Sequence, residues 1–435
     1  MLHETGLTVE NVDRAYDEAE LVRASQDVTV LGIRSKTHVT RRVFEAAPNL
    51  VAVGAFCIGT NQIDLEAASE RGVTVFNAPF SNTRSVVELA LSEVIALTRR
   101  LTEKNRLMHE GVWDKSADGA HEVRGRSLGI VGYGNSGSQL SVLAENLGMR
   151  VFFYDPVDKL ALGNARRCGS LHELLGAADV VTLHVDGRPS NANFFGPAEF
   201  AAMRPDSLFM NLSRGFVVDY GALRREIECG RIAGAAVDVF PAEPRGRGEE
   251  FVSELRGLPN VILTPHIGGS TEEAQQDIAR FVAGKFRDFL ADGSTAMSVN
   301  LPGLVLPQPP DTHRLILIHR NVPGAIATIN GVLADHKVNI EAQLLGTRGE
   351  IGYVVTDINA SYTQEMLDQL RALEETIRLR VLPSWPLPPR STRTRGGARG
   401  PADLRRPSRA TAVVTLRYSS IVGLLAGGRP GDRDA

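Results

Sequence analysis

The stretch SLGIVGYGNSGSQLSVLAENLGMRVFFYD, residues 127–155, decides how the rest of the chain is read. It has the form strand, tight glycine turn, helix, strand. The apolar run 128–131 is followed at once by Gly132-Tyr133-Gly134-Asn135-Ser136-Gly137. Apolar residues then recur at helical spacing (Leu140, Leu143, Ala144, Leu147), Gly148 closes the helix, and a second apolar run, 150–154, ends in Asp155. In such a unit Gly132 permits the sharp turn out of the strand, Gly134 lets a pyrophosphate approach the backbone, and Gly137 lets the helix pack close to the sheet. The first helical turn offers unpaired N–H groups and the positive end of the helix dipole. Asp155 is placed to accept hydrogen bonds from a ribose diol and would repel a 2′-phosphate, so the stretch predicts NAD rather than NADP.

Working outward, apolar β-branched runs at 28–33, 50–54 and 73–76 alternate with short helical patterns. This predicts a small α/β domain with a parallel sheet ahead of the glycine unit. The opening residues, to about 27, read as polar and helical. A turn-rich crossing at 77–83 leads into a long apolar helix, about 85–100. After Asp155 the α/β rhythm continues through strands at 180–185, 207–212, 234–239 and 261–263. A long helix, 270–290, returns to the first domain. Pro302, Pro307, Pro309 and Pro310 mark a linker, and from 314 the order becomes β-α-β-β-α-β, a ferredoxin-like unit of roughly seventy residues.

The expected architecture is therefore α/β throughout. A Rossmann dinucleotide-binding domain (82–268) is inserted in a smaller flavodoxin-like substrate domain (1–81 and 269–301). A linker (302–311), a ferredoxin-like domain (312–384) and a disordered tail (385–435) follow. That tail holds ten Arg, no Lys, three Asp and no Glu, a net +7, so the overall formal charge of −3 conceals a basic tail on an acidic body. Its composition looks like translation out of frame. The balance predicts no general nucleic-acid partner. Cys57, Cys168 and Cys229 are few, odd in number and without metal-ligand spacing, which fits a reducing cytoplasm and no metal. No run reads as a membrane span or signal peptide.

In an open parallel sheet, ligands gather at the carboxyl ends of the strands. That rule draws attention to Ser213, Arg214, Asp238, Glu243 and His266. Hydride transfer from a C–OH group requires a base for the hydroxyl proton, a cation for a carboxylate, and a dinucleotide within reach. His266, Glu243 and Arg214 are the right types for base, orienting carboxylate and cation.

Asn211-Leu212-Ser213-Arg214-Gly215, Asp238-Val239-Phe240-Pro241-Ala242-Glu243-Pro244 and Thr264-Pro265-His266-Ile267-Gly268-Gly269-Ser270 resemble the signature blocks of the D-2-hydroxyacid dehydrogenases. Gly32-Ile33-Arg34-Ser35-Lys36-Thr37, Phe56-Cys57-Ile58-Gly59-Thr60-Asn61 and the run 76–85 are closer to one branch, the bacterial D-3-phosphoglycerate dehydrogenases with one C-terminal ACT domain. The likeness covers about residues 28–384. It implies NAD-dependent oxidation of 3-phosphoglycerate to 3-phosphohydroxypyruvate, opening serine biosynthesis. The alternatives are reduction of another 2-oxo acid or a non-catalytic NAD-responsive role.

By the same resemblance Arg214 binds the substrate carboxylate, His266 is the acid/base and Glu243 supports it. Arg34, Ser35 and Asn82 hold the rest of the substrate. Gly132, Gly134, Asn135, Ser136, Gly137, Asp155, Leu212, Ser213, Arg214, Asp238, His266, Ile267, Gly268 and Gly269 match cofactor-contact positions. His319, Asn321 and Asn339 would bind serine as an effector across paired ACT domains, which implies a homo-oligomer, a tetramer by family habit. Three departures stand out. The chain begins some two dozen residues late against the family pattern, so the first strand and helix of the substrate domain are expected to be missing, leaving apolar surface and a sheet edge uncovered. Ser136 stands where an apolar residue is usual, and Asp186 where Pro is.

Overall fold

The computed structural model describes residues 7–12, 14–244, 248–309, 311–359, 361–382 and 413–418. In chain order the elements begin β1 (Leu7–Val12), α1 (Glu18–Ala24), β2 (Val30–Ile33), α2 (Arg41–Ala46), β3 (Ala52–Ala55), α3 (Leu65–Glu70) and β4 (Thr74–Asn77). Then come α4 (Thr83–Thr98), α5 (Leu101–His109), β5 (Ser127–Val131), α6 (Asn135–Asn146), β6 (Arg150–Tyr154), β7 (Arg166–Arg167), α7 (Leu171–Ala177), β8 (Val180–Leu183), α8 (Pro197–Ala202), β9 (Ser207–Asn211), α9 (Tyr220–Glu228), β10 (Ile232–Val237) and β11 (Val261–Leu263). The helix α10 (Glu272–Asp292) precedes β12 (His313–Arg320), α11 (Ala325–Asp335), β13 (Ile340–Arg348), β14 (Ile351–Ile358), α12 (Gln364–Ala372), β15 (Thr376–Leu382) and β16 (Val413–Tyr418). The chain divides into two units, Met1–Ala78 with Ala279–Ala435, and Pro79–Ile278, and α10 contributes residues to both.

The second unit holds a seven-stranded sheet in the order β11-β10-β9-β8-β5-β6-β7, parallel throughout. The order reverses at β5: β6 and β7 extend one way, β8 and its successors the other. This is the doubly wound pattern, with its ligand crevice where β5 and β8 part. Every residue of β5, β8 and β9 is buried, as expected for strands covered by helices on both faces. One face packs on Leu174, Phe195, Phe200, Phe209 and Leu223, the other on Val87, Val94, Leu140, Ala144 and Met210.

In the first unit the order is β1-β16-β2-β3-β4, with β2, β3 and β4 parallel. Two expectations are corrected here. The opening residues are not wholly helical. Leu7–Val12, with its alternating Leu7, Val9 and Asn11, forms a strand, and helix begins only at Glu18, where Asp17 and Glu20 make a reciprocal capping box. Nor is the whole tail without structure, or the sheet edge bare. Val413–Tyr418 runs antiparallel between β1 and β2, pairing Val413 with Ile33 and Leu416 with Val30. An unpaired edge is a template for any extended β-branched segment, and Val413-Val414-Thr415 is one. The rest of the tail expectation falls outside the described residues.

The ferredoxin-like sheet has the order β13-β14-β12-β15 and is antiparallel between neighbours. The buried Arg314 pairs with the buried Asp357 through two bonds, Nε to Oδ1 at 2.7 Å and Nη2 to Oδ2 at 2.6 Å. Its Nη1 donates to the carbonyls of Asp292 and Leu306, both at 2.8 Å, and the Tyr353 hydroxyl donates to Gly293 O at 2.7 Å. These bonds fasten this sheet to the end of α10 and the linker.

Candidate active site

At the end of β5 the chain turns through Gly132, whose φ of +93° is open to glycine alone at little cost. A Cβ there would stand 2.7 Å from the His184 carbonyl at the end of β8. Gly137 seats α6 on the turn, since a Cβ would fall 2.3 Å from Gly132 O. Gly134, by contrast, faces open space, and no side chain caps α6 there. The result is a cradle with backbone N–H groups aimed outward, the shape a pyrophosphate requires and one a Cβ at residue 134 would fill. Asn135 is exposed and Ser136 partly so. The Asp155 carboxylate, at the end of β6, accepts from the N–H of Tyr133 and of Val157, both at 2.9 Å, which fixes its orientation beside the turn.

The loops after β9, β10 and β11 lock together. The buried Asn211 side chain accepts from the Ser213 N–H and hydroxyl at 3.0 and 2.7 Å, and donates to Arg214 O at 3.0 Å and to the Tyr220 hydroxyl at 2.9 Å. The Tyr220 hydroxyl in turn donates a hydrogen bond to Val239 O at 2.6 Å, joining the β9 loop to the β10 loop. Gly215 makes that join possible, because a Cβ would stand 1.9 Å from the Phe240 carbonyl carbon. Leu212 and Ser213 are buried in this knot.

Asp238, 1 % exposed, clamps the next loop. It accepts from the Thr264 hydroxyl at 2.6 Å and from the N–H groups of Ile267 and Gly268, each at 2.8 Å. That loop carries His266 in the left-handed region, φ +54°. The His266 Nδ1 lies 2.9 and 3.0 Å from the two oxygens of Glu243, and the ring is open to solvent on its other side. A carboxylate at Nδ1 holds that nitrogen's proton and leaves Nε2 free to exchange one. Glu243 is itself steadied by the Phe240 N–H at 3.2 Å.

Asn82, at the start of α4, packs against Gly269, where a Cβ would stand 2.2 Å from its Nδ2; its Oδ1 is buried without a hydrogen-bond partner among the described residues. Arg34 and Ser35 follow β2 at the carboxyl edge of the other unit's sheet. The unexpected Asp186 forms an ion pair with Arg188, Nε to Oδ1 at 2.7 Å. That bond lowers the Asp186 pKa, with a smaller contribution from Arg214. His184, half-buried at the switch point, is pushed down to about 4 by desolvation and stays neutral at pH 7.

Three residues of this site carry no sequence-level assignment. Asn211, Gly215 and Tyr220 set the loops, and only their place in or beside a signature block signals them. Glu93 on α4 is a fourth. It is 3 % exposed, neither carboxylate oxygen has a hydrogen-bond partner among the described residues, and burial, with Asp238 nearby, raises it to about 8.

In the C-terminal sheet His319 and Asn321 lie at the end of β12, while Asn339 precedes β13. The registers His319↔Gly352 and Ile340↔Ile358 put them toward opposite ends of β14. One chain therefore does not bring the three together. The His319 Nδ1 lies 2.8 Å from Arg320 O, and its Nε2 is buried with no partner among the described residues. No group of three metal-ligating side chains and no helix long and apolar enough to cross a membrane occurs among the described residues.

Residues 91–268 match the family described as D-isomer specific 2-hydroxyacid dehydrogenase, NAD binding domain, and residues 315–378 match the AHAS small subunit-like ACT domain. The chain is 51 % identical over 384 residues to the D-3-phosphoglycerate dehydrogenase of Haemophilus influenzae, covering 88 % of this chain and 93 % of that one. It is 49 % identical over 370 residues to the Escherichia coli K12 protein of the same name, covering 85 % and 90 %. Among solved structures, the NAD-dependent formate dehydrogenase of Staphylococcus aureus in complex with NAD superposes with a TM-score of 0.57 at 28 % identity, covering 63 % of this chain and 83 % of that one.

Proposed function

The chain belongs to the D-isomer-specific 2-hydroxyacid dehydrogenases, and on that premise we propose that it catalyses the NAD-dependent oxidation of 3-phosphoglycerate to 3-phosphohydroxypyruvate. The observation that carries the chemistry is the His266–Glu243 contact of 2.9 Å, at the same sheet edge as Arg214 and the glycine cradle. The cradle at Gly134 and the oriented Asp155 suit NAD, which when bound supplies the hydride acceptor. The chain's own groups do the rest. Arg214 holds the substrate carboxylate with its fixed fork of donors. His266 Nε2 takes the C2 hydroxyl proton as the C–H bond breaks, and Glu243 stabilises the imidazolium that results. Asn82, with an unpartnered buried oxygen beside Gly269, and Arg34 with Ser35 hold the remainder of the substrate and its phosphate.

The same reading makes the C-terminal domain a serine sensor. It supports a homo-oligomer, a tetramer, because His319 and Asn339 lie at opposite ends of one sheet and need a second copy to share a ligand. The same reading takes the enzyme to work in the cytoplasm, and no helix among the described residues is long and apolar enough to cross a membrane.

The test is NADH formation from 3-phosphoglycerate at alkaline pH, with and without serine, in the parent chain and in Arg34→Ala. Turnover that serine suppresses, with a KM for the phosphorylated substrate raised far more by Arg34→Ala than that for an unphosphorylated 2-hydroxy acid, supports the assignment. Equal effects on both substrates would remove the phosphate from it and favour another 2-oxo acid.

A further inference from the structure

Within the first unit a cleft of about 810 Å³ lies where the substrate domain meets the C-terminal sheet. Three cations converge on it: Arg71 after α3, Arg320 at the end of β12, and Arg378 on β15. Two acids also line it, Glu70 and Glu350, but Glu70 is bonded to Arg41. Arg71 stands 4.0 Å from Glu45, while Arg320 and Arg378 have no ion pair among the described residues. Phe44 and Ile377 give one side of the cleft an apolar wall.

Arg378 is the informative member. It is partly buried, and its Nη1 donates to Leu50 O at 2.5 Å, a neutral acceptor. Burial first, then Arg380 and Arg71, pulls its pKa down to about 10. The same sheet handles Arg314 differently, giving it the carboxylate of Asp357 through two short bonds. A guanidinium taken out of water without an anion is costly, and a planar fork of donors matches a carboxylate or phosphate.

We propose that this cleft binds a small molecule bearing an oxyanion, a carboxylate or a phosphate ester. Arg71, Arg320 and Arg378 hold the oxyanion, and Phe44 and Ile377 receive the carbon skeleton. Because Arg71 belongs to the substrate domain and the other two arginines to the C-terminal sheet, the bound anion ties the two together. The site is separate from the active centre, whose cation is Arg214. It is also separate from the proposed serine residues, though Asn321 borders it.

Titration calorimetry of the full chain tests this, with inorganic phosphate and malonate as separate probes at constant ionic strength. Two classes of anion site per chain are expected. Arg34→Ala removes the one belonging to the substrate site and leaves the other. Arg320→Ala and Arg378→Gln weaken the other at least tenfold and leave the first. Arg320 is exposed, so its variant folds even if Arg378→Gln does not. Heat from phosphate alone identifies a phosphate ester as the ligand class, and heat from malonate alone a carboxylate. A single class of site that Arg34→Ala abolishes, or a second class that Arg320→Ala leaves unchanged, overturns the proposal without touching the dehydrogenase assignment.

Discussion

The seven-stranded sheet and the C-terminal sheet treat sequence-distant residues in opposite ways. In the first, β9, β10 and β11 run parallel, so all three end at one edge. Arg214, Glu243 and His266 meet there without any further device. In the second, α11 carries the chain back before β13 starts, so a residue closing β12 and one opening β13 lie at opposite edges. His319 and Asn339 are separated by the six-residue step from Gly352 to Ile358 along β14, about 20 Å at strand rise. A parallel sheet assembles a site within one chain. A sheet of this order sets such residues at its opposite ends.

The hardest blow to the first half of that contrast is His266→Asn. Removing the proton acceptor should lower kcat by roughly 10³–10⁴-fold while NAD still binds, read by steady-state rates and by NADH fluorescence titration. Unchanged turnover would mean that the strand-end cluster is not where the chemistry occurs.

Gly215→Ala attacks the assembly itself. A Cβ 1.9 Å from the Phe240 carbonyl carbon forces the β9 and β10 loops apart. A loss of about 3 kcal/mol or more is expected by denaturant unfolding, with a drop in kcat in whatever protein folds.

Glu93→Gln measures what burying a carboxylate costs, with Asp238 adding to it. Glu93 has a folded value of about 8 against an ordinary 4.5, so the native state binds its proton more tightly than the unfolded chain. Its contribution is most favourable below pH 4.5 and is lost as pH rises to about 8. The parent chain should lose stability relative to Glu93→Gln across that window, on the order of 2–4 kcal/mol, seen as converging and then crossing Tm-against-pH curves. Parallel curves would place the proton elsewhere.

Glu243→Gln should cost roughly 10–100-fold in kcat and flatten the acidic limb of the pH–rate profile, since a neutral amide no longer stabilises the imidazolium. The smallest effect sharpens the second half of the contrast. Asn321→Ala and Asn339→Ala should each weaken serine inhibition by about tenfold, and mixed oligomers of the two variants should recover part of it. Failure of the mixtures to recover anything would argue for an effector site within one chain.

Much of this molecule was legible in its residues. The glycine turn with its flanking strands announced the dinucleotide unit because each glycine answers a local steric demand. Arg214, Glu243 and His266 were singled out by type and by their place after apolar runs, and the structure sets them on loops at one edge of the sheet. Asn211 and Tyr220 were not, because an Asn and a Tyr give no sign of bridging two loops until those loops are side by side. The strand at Val413–Tyr418 was hidden for a related reason. Six residues, four of them β-branched or aromatic, in an Arg-rich, Pro-rich tail have no pattern of their own, and they become a strand only beside the open edge of β2.

The sequence by itself determined the alternation of strands and helices, the glycine turn of the dinucleotide unit and the chemical types of the side chains set after the strands, since these depend on neighbours a few residues away. The tertiary structure alone decided which of them share an edge and, among the described residues, which carboxylate lies buried without a partner and which arginine lacks an anion. Those are properties of burial and of contacts between distant segments, and no local pattern encodes them.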